Sequence, residues 1–218
     1  MEILKSPHWE VISMEMRHLL AAIGQQPFAS HFYLAGGTAL SLQIGHRRSV
    51  DFDFFAEADE VKDQRADEIT RSLDSFSIQV IERTLGNFVL LVDNIRIGFF
   101  SYGYPLINPA VQVENVALAS IADIGLMNCD ALITRGSRKD FYDLFHIAGS
   151  IPLAGLLQLG STKYSQFRDF PLMVLESMTL FDNADRDFQP LLIKSIPWEE
   201  VKSFFIQQAK NLSKIWFE

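Results

Sequence analysis

The chain has 218 residues, 48% of them hydrophobic and 21% charged, with a formal net charge of −8. That composition suits a sizeable core, built as one large domain or as a small α/β domain with a helical partner, and its acidic balance excludes a surface basic over its whole extent. Its single cysteine, Cys129, excludes an internal disulfide or a cysteine-based zinc centre.

Ser6-Pro7 reads as a helix start, and Val11, Ile12, Met14, Leu19, Leu20 and Ile23 recur at helical spacing, which predicts a helix over 8–25. Residues 31–35 form a β-prone run ending at Gly36-Gly37. Residues 38–44 predict a short helix with Gly45 as its C-cap, and 50–55 predict a strand. An amphipathic helix is expected over 59–74, on Val61, Ala66, Ile69 and Leu73. Three β-like runs, 77–84, 87–92 and 95–102, are punctuated by Gly86-Asn87 and Asp93-Asn94 and predict an antiparallel meander. Residues 111–116 predict one more short strand.

From residue 120 the pattern is helical. One helix is expected over 120–134, with Ser120 as N-cap and Asp123 at the capping-box position. A second runs over 137–148 between Ser137 and the stop at Gly149, and further stretches cover 152–159, 170–181 and 197–216. The expected division is an α/β domain over 1–117 and a helical domain over 118–218 packed against it, because no flexible linker separates them. The N-terminus lacks a signal-peptide pattern and no apolar run approaches bilayer length, so a cytoplasmic protein without membrane contact is expected. Cys129 lies among apolar residues in a helical pattern and reads as a buried structural thiol. Most of the 18 Phe read as core.

Chemistry concentrates in two adjoining stretches, Tyr33-Leu-Ala-Gly-Gly-Thr-Ala-Leu40 and Gly45-His-Arg-Arg-Ser-Val-Asp-Phe-Asp-Phe-Phe55. Side chains alternate faces along a strand, so Asp51 and Asp53 point one way while Phe52 and Phe54 point into a core. Their Cα atoms would stand roughly 6.6 Å apart, a spacing at which carboxylates can share hard cations such as Mg²⁺. Gly36-Gly37-Thr38 joins a strand to a helix: glycines admit a phosphate to the backbone, the helix start supplies N–H groups, and Thr38 can add a hydroxyl. Gly-Gly-Thr alone is usually a turn, and Asp-Phe-Asp-Phe alone is usually an edge strand with solvated acids. With Gly37 and Asp51 fourteen positions apart and a helix between them, the two are expected to face one metal-and-phosphate cleft.

With a third segment, Arg135-Gly-Ser-Arg-Lys-Asp-Phe-Tyr-Asp-Leu144, these stretches resemble the AbiEii/AbiGii abortive-infection toxins of the DNA-polymerase-β-like nucleotidyltransferase superfamily. The resemblance implies an α+β nucleotidyltransferase fold, a mixed β-sheet flanked by helices and followed by an α-helical C-terminal half. It implies nucleotide transfer from an NTP, to tRNA in some members, with Mg²⁺ as cofactor and a cognate antitoxin as partner. By resemblance Gly36, Gly37 and Thr38 would hold the triphosphate and Asp51 and Asp53 the metal, with Asp140 and Asp143 as the late acidic pair.

On a helix beginning at Ser137, Lys139 and Asp143 share a face, so Asp143 can act as a base or orient a basic neighbour, and Arg138 or Lys139 can touch phosphates. The plainer alternatives are helix capping for Asp140 and a surface salt bridge for Asp143. Two positions depart from the family. The third carboxylate falls on Gly98, and a lysine on the first helix of the second half falls on Asn128, which cannot supply its charge. Arg47, Arg48 or Lys139 are candidates to replace that charge. Two readings therefore stand side by side: a nucleotidyltransferase using Asp51, Asp53 and Asp143 with Arg48 and Lys139 on phosphates, or a catalytically degenerate relative that binds a nucleotide or a partner.

Overall fold

The computed structural model describes residues 1–58 and 61–217, with the side chains of 215–217 left aside. The chain divides into two compact units, Met1–Ser120 and Ile121–Glu218.

The first unit is built on a mixed sheet. Its strands are β1 (Glu2–Ile3), β2 (Tyr33–Ala35), β3 (Asp51–Ala56), β4 (Ile78–Thr84), β5 (Asn87–Val92), β6 (Ile95–Ser101), β7 (Val111–Val113) and β8 (Val116–Leu118). They lie in the order β1-β7-β8-β2-β3-β6-β5-β4. The pairs β1/β7, β2/β8 and β3/β6 are parallel, and β2/β3, β4/β5, β5/β6 and β7/β8 are antiparallel. The helices of this unit are α1 (Met14–Gly24), α2 (Gly36–Ile44) and α3 (Asp63–Ser72), with 3₁₀ turns at Trp9–Val11 and Pro27–His31.

Most sequence expectations in this unit hold, with corrections at the ends. The helix expected over 8–25 starts only at Met14, because the Ser13 hydroxyl caps it by accepting from the Met16 amide at 3.2 Å. The helix expected over 59–74 is α3, and residues 59 and 60 lie outside the described residues. The strand expected over 111–116 is two strands, β7 and β8, because Glu114 and Asn115 turn the chain with φ of 48° and 62°.

Phe99 centres the core of this unit, with ring centroids 5.9 Å from Phe28, 5.1 Å from Phe32, 5.2 Å from Phe54 and 6.5 Å from Phe88. Burying each such ring contributes about 1.5–3 kcal/mol. This packing fixes one face of β3 and β6 and leaves the other face for Asp51, Asp53 and Phe55.

The second unit is helical: α4 (Ile121–Thr134), α5 (Arg138–Ala148), α6 (Leu153–Lys163), α7 (Phe170–Ser177), α8 (Asp182–Arg186) and α9 (Trp198–Phe217). The stretch expected over 152–159 extends to Lys163, and the 170–181 stretch ends at Ser177 before the separate α8. Phe141 packs on Phe181, Trp198 and Phe205 at 5.1–5.6 Å between centroids. Between α4 and α6, Lys163 Nζ donates to Asp123 Oδ1 at 2.9 Å, both side chains fully buried. Asp123, expected at the capping-box position, also supplies the carboxylate of a buried ion pair. Among the described residues no single helix is long and apolar enough to cross a membrane.

Candidate active site

Register brings the glycine turn to the acids. Ala35, the last residue of β2, pairs with Asp53 on β3. The next residue, Gly36, has φ +63°, and a Cβ on it would stand 3.5 Å from Asp53 Oδ2. Gly36 serves the left-handed turn. Gly37 serves a close approach, because a Cβ there would stand only 1.9 Å from Arg47 Nη2. Arg47 is 6% exposed, and its Nη1 donates to the Arg48 carbonyl at 3.1 Å. Of the two arginines the sequence offered for the missing charge, Arg47 has its guanidinium at the turn, while Arg48, the one expected on phosphates, is exposed.

Thr38 is also corrected. Its side chain is 2% exposed and turned into the fold, where its hydroxyl donates to the Asp51 carbonyl and lies 2.7 Å from Ser49 Oγ. The Ser49 hydroxyl in turn faces Asp51 Oδ1 at 3.5 Å. Thr38 therefore ties the start of α2 to the start of β3 and sets the position of Asp51; it does not offer its hydroxyl to a phosphate.

Along β3, Asp51, Asp53 and Phe55 are partly exposed while Phe52, Phe54 and Ala56 are buried, so both carboxylates project from one face. On the parallel neighbour β6, Arg96 pairs with Asp51 and Gly98 with Asp53. A Cβ on Gly98 would stand 3.3 Å from Asp53 Oδ1, so this is where a third carboxylate would project beside the other two. The same Cβ would meet the Phe100 ring at 2.3 Å, so Phe100 folds back over the glycine. Two residues earlier on the same face, Arg96 Nη1 donates to Asp53 Oδ1 at 2.9 Å. Arg96 escaped the sequence reading, although its period-two spacing from Gly98 carries the signal.

Among the described residues no cluster of three or more His, Cys, Asp or Glu forms a ready-made cation cage. Mg²⁺ binds through one or two carboxylates together with substrate phosphates, and Asp51 and Asp53 beside the glycine turn fit that mode.

In the helical unit the late motif divides into parts with different duties. Asp140 completes a capping box with Ser137 and takes a two-point ion pair from Arg135, at 3.0 and 2.7 Å. Arg138 donates to the Ala184 and Asp185 carbonyls at 2.7 and 2.9 Å, so it holds α8 and is not offered to phosphate. Lys139 is exposed and belongs to no ion pair among the described residues. Asp143 is 2% exposed, which rules out a surface salt bridge. Asn128 is 5% exposed, and its Nδ2 lacks a hydrogen-bond partner among the described residues. Burial pushes the Cys129 thiol up to about 12, which makes it inert at neutral pH.

The mixed sheet with its glycine turn against strand acids defines a nucleotidyltransferase-fold protein, and solved structures bear this out. MenT4, the nucleotidyltransferase toxin Rv2826c from Mycobacterium tuberculosis H37Rv, superposes with a TM-score of 0.59 at 17% identity, covering 88% of this chain and 83% of that one. JHP933 from Helicobacter pylori gives 0.56 at 19% identity, covering 93% of this chain and 94% of that one. The antibiotic-resistance factor ANT(2'')-Ia, solved in complex with adenylyl-2''-tobramycin, gives 0.52 at 14% identity, covering 70% of this chain and 97% of that one. At these identities the likeness is one of fold.

Sequence comparison goes further. The family model described as nucleotidyl transferase AbiEii toxin, type IV toxin–antitoxin system, matches residues 18–211, and the chain belongs to that family. The protein aq_aa25 of Aquifex aeolicus (strain VF5) is 34% identical over 209 residues, covering 92% of this chain and 97% of its own.

Proposed function

We propose that this protein is a cytoplasmic, Mg²⁺-dependent nucleotidyltransferase toxin that transfers a nucleotide from an NTP to a hydroxyl of tRNA and is neutralised by a cognate antitoxin. The observation that carries the reading is the approach of the Asp53 carboxylate to the Gly36 turn, 3.5 Å from a Cβ built there. Family membership supports the NTP substrate and the antitoxin.

In this reading the acceptor hydroxyl oxygen forms a bond to the α-phosphorus and the bond from that phosphorus to the bridging oxygen breaks. Pyrophosphate leaves and the hydroxyl proton passes to a carboxylate. The free N–H groups at the start of α2 hold phosphate oxygens, and the Arg47 guanidinium at Gly37 adds positive charge. Asp51 and Asp53 would hold Mg²⁺, which when bound neutralises the phosphates and makes the acceptor hydroxyl more acidic. Asp53 is oriented by Arg96, and Asp51 by Ser49 and Thr38. In the helical unit Asp143 is the proposed functional acid of the late motif, and Lys139 is its exposed cation.

A second reading, nucleotide binding without transfer, is favoured by Gly98 and Asn128 at the positions of the third carboxylate and the lysine. One experiment separates the two. Total tRNA is incubated with Mg²⁺ and each α-labelled NTP, using the wild type and Asp51→Asn. The transferase reading expects label on RNA and a loss of about 100-fold or more in the variant, as for removal of one strongly stabilising polar group. Calorimetric NTP binding without any labelled RNA would favour the second reading.

A further inference from the structure

We propose that Phe55, Phe100, Tyr102 and Tyr104 form a stacking platform for a nucleobase, continuous with the glycine–aspartate site. The inference rests on the phosphate-binding reading above and extends it to the base.

The platform shares the face of the acids. On β3, Phe55 follows Asp53 by two positions; on β6, Phe100 follows Gly98 by two and pairs in register with Phe55. Residues two apart on a strand project from one face about 6.6 Å from each other. Phe55 lies 5.3 Å from Phe100 and 5.6 Å from Tyr102 between centroids, and Tyr102 lies 5.2 Å from Tyr104. The four are half-buried, whereas Phe52, Phe54 and Phe99 on the opposite face are at most 1% exposed.

The platform begins at the acids themselves. The Phe100 ring stands 2.3 Å from where a Gly98 Cβ would be, and that same point is 3.3 Å from Asp53 Oδ1. An aromatic edge thus adjoins the carboxylate with no side chain at position 98 between them. Charge is arranged along the same axis. Arg96, Asp51 and Asp53 precede the rings in the two strands, so polar, ion-binding groups come first and aromatic rings, tilted or edge-to-face to one another, follow. A nucleotide has this order of chemistry, with anionic phosphates at one end and a flat π-face at the other. Gly98, which removes the third carboxylate, is also what lets the Phe100 ring lie down.

The bases of the incoming NTP and of an RNA acceptor share this chemistry, and the test separates them. Phe100→Leu and Tyr104→Leu keep apolar bulk and remove the ring, and thermal melts check that each folds. Binding with Mg²⁺ is measured for ATP, GTP, CTP and UTP, for tripolyphosphate, which has no base, and for a single-stranded RNA octamer. One stacked base lost corresponds to about 5- to 100-fold weaker binding. The proposal expects that loss for nucleotides with tripolyphosphate unchanged, which seats the NTP base on the platform. The same loss for the octamer alone seats an acceptor base there and equally supports it.

Variants that keep wild-type affinity for every nucleotide and for RNA would give this face to packing or to a protein partner and overturn the proposal. So would an equal loss for tripolyphosphate and nucleotide, which makes Phe100 part of the phosphate site. Wild-type protein that binds tripolyphosphate as tightly as any NTP, and does not bind RNA, overturns the platform and leaves the phosphate reading standing. Wild-type protein that binds none of these ligands overturns both.

Discussion

Asp53 is the residue on which the site turns, because three neighbours set its chemistry at once. The Gly36 turn stands beside its Oδ2, Gly98 places no side chain of its own beside Oδ1, and Arg96 donates into Oδ1. With side chains 44% and 27% exposed, the Arg96–Asp53 pair is a surface pair worth about 0–1 kcal/mol to stability. Its consequence lies in the ligands instead. The guanidinium competes with a cation for Asp53 and attracts phosphate. Arg96→Ala should therefore melt within a few degrees of the wild type, bind Mg²⁺ alone about two- to tenfold more tightly, and bind tripolyphosphate more weakly. Calorimetric titration of each ligand separately reads the split. Weakening of both ligands together would mean that Arg96 holds Asp53 in its working position rather than competing for it.

At the level of the elements, the legible features are those that repeat locally. The β4–β5–β6 meander is readable because its turns fall at Gly86 and at Asp93-Asn94, residues that tolerate φ of 85°, 48° and 66°. The facing of Asp51 and Asp53 follows from alternation within one strand. What escapes is short or distant. The β7–β8 hairpin has three-residue strands and turns at Glu114-Asn115 without a glycine, so neither period nor composition marks it. Arg96 reaches Asp53 across 43 residues, and Lys163 reaches Asp123 across 40. The inward turn of Thr38 is a choice of rotamer, invisible in residue order.

The Lys163–Asp123 pair joins α4 to α6 with both side chains fully buried. Lys163→Met leaves a buried carboxylate without its ammonium and should cost about 3–5 kcal/mol in urea unfolding. Adding Asp123→Leu removes the carboxylate that has lost its ammonium and should recover much of that loss. A double variant no more stable than the single one would mean that Asp123 is held by other partners and that the ion pair is incidental to α4–α6 packing.

For the whole molecule, the decisive quantity is the net charge of −8 against a polyanionic acceptor. Each phosphate neutralised by a protein cation releases counterions, and log K falls against log salt by about 0.7–0.9 per contact. A protein with a broad basic face makes six to ten such contacts, by the usual order of magnitude. Here Arg47 is buried at the turn, Arg138 holds α8 and Arg135 holds Asp140, which leaves Arg48, Arg96 and Lys139 as the exposed cations of the site and motif segments. The expected slope for tRNA binding between 50 and 200 mM salt is therefore shallow, about −2 to −3. Recognition would rest on stacking and on the Mg²⁺–phosphate site, and association would be slowed by the like charge of the two molecules. Filter binding across that salt range measures the slope. A value steeper than about −5 would mean that more cations than these contact the RNA, supplied elsewhere on the chain or by a partner protein.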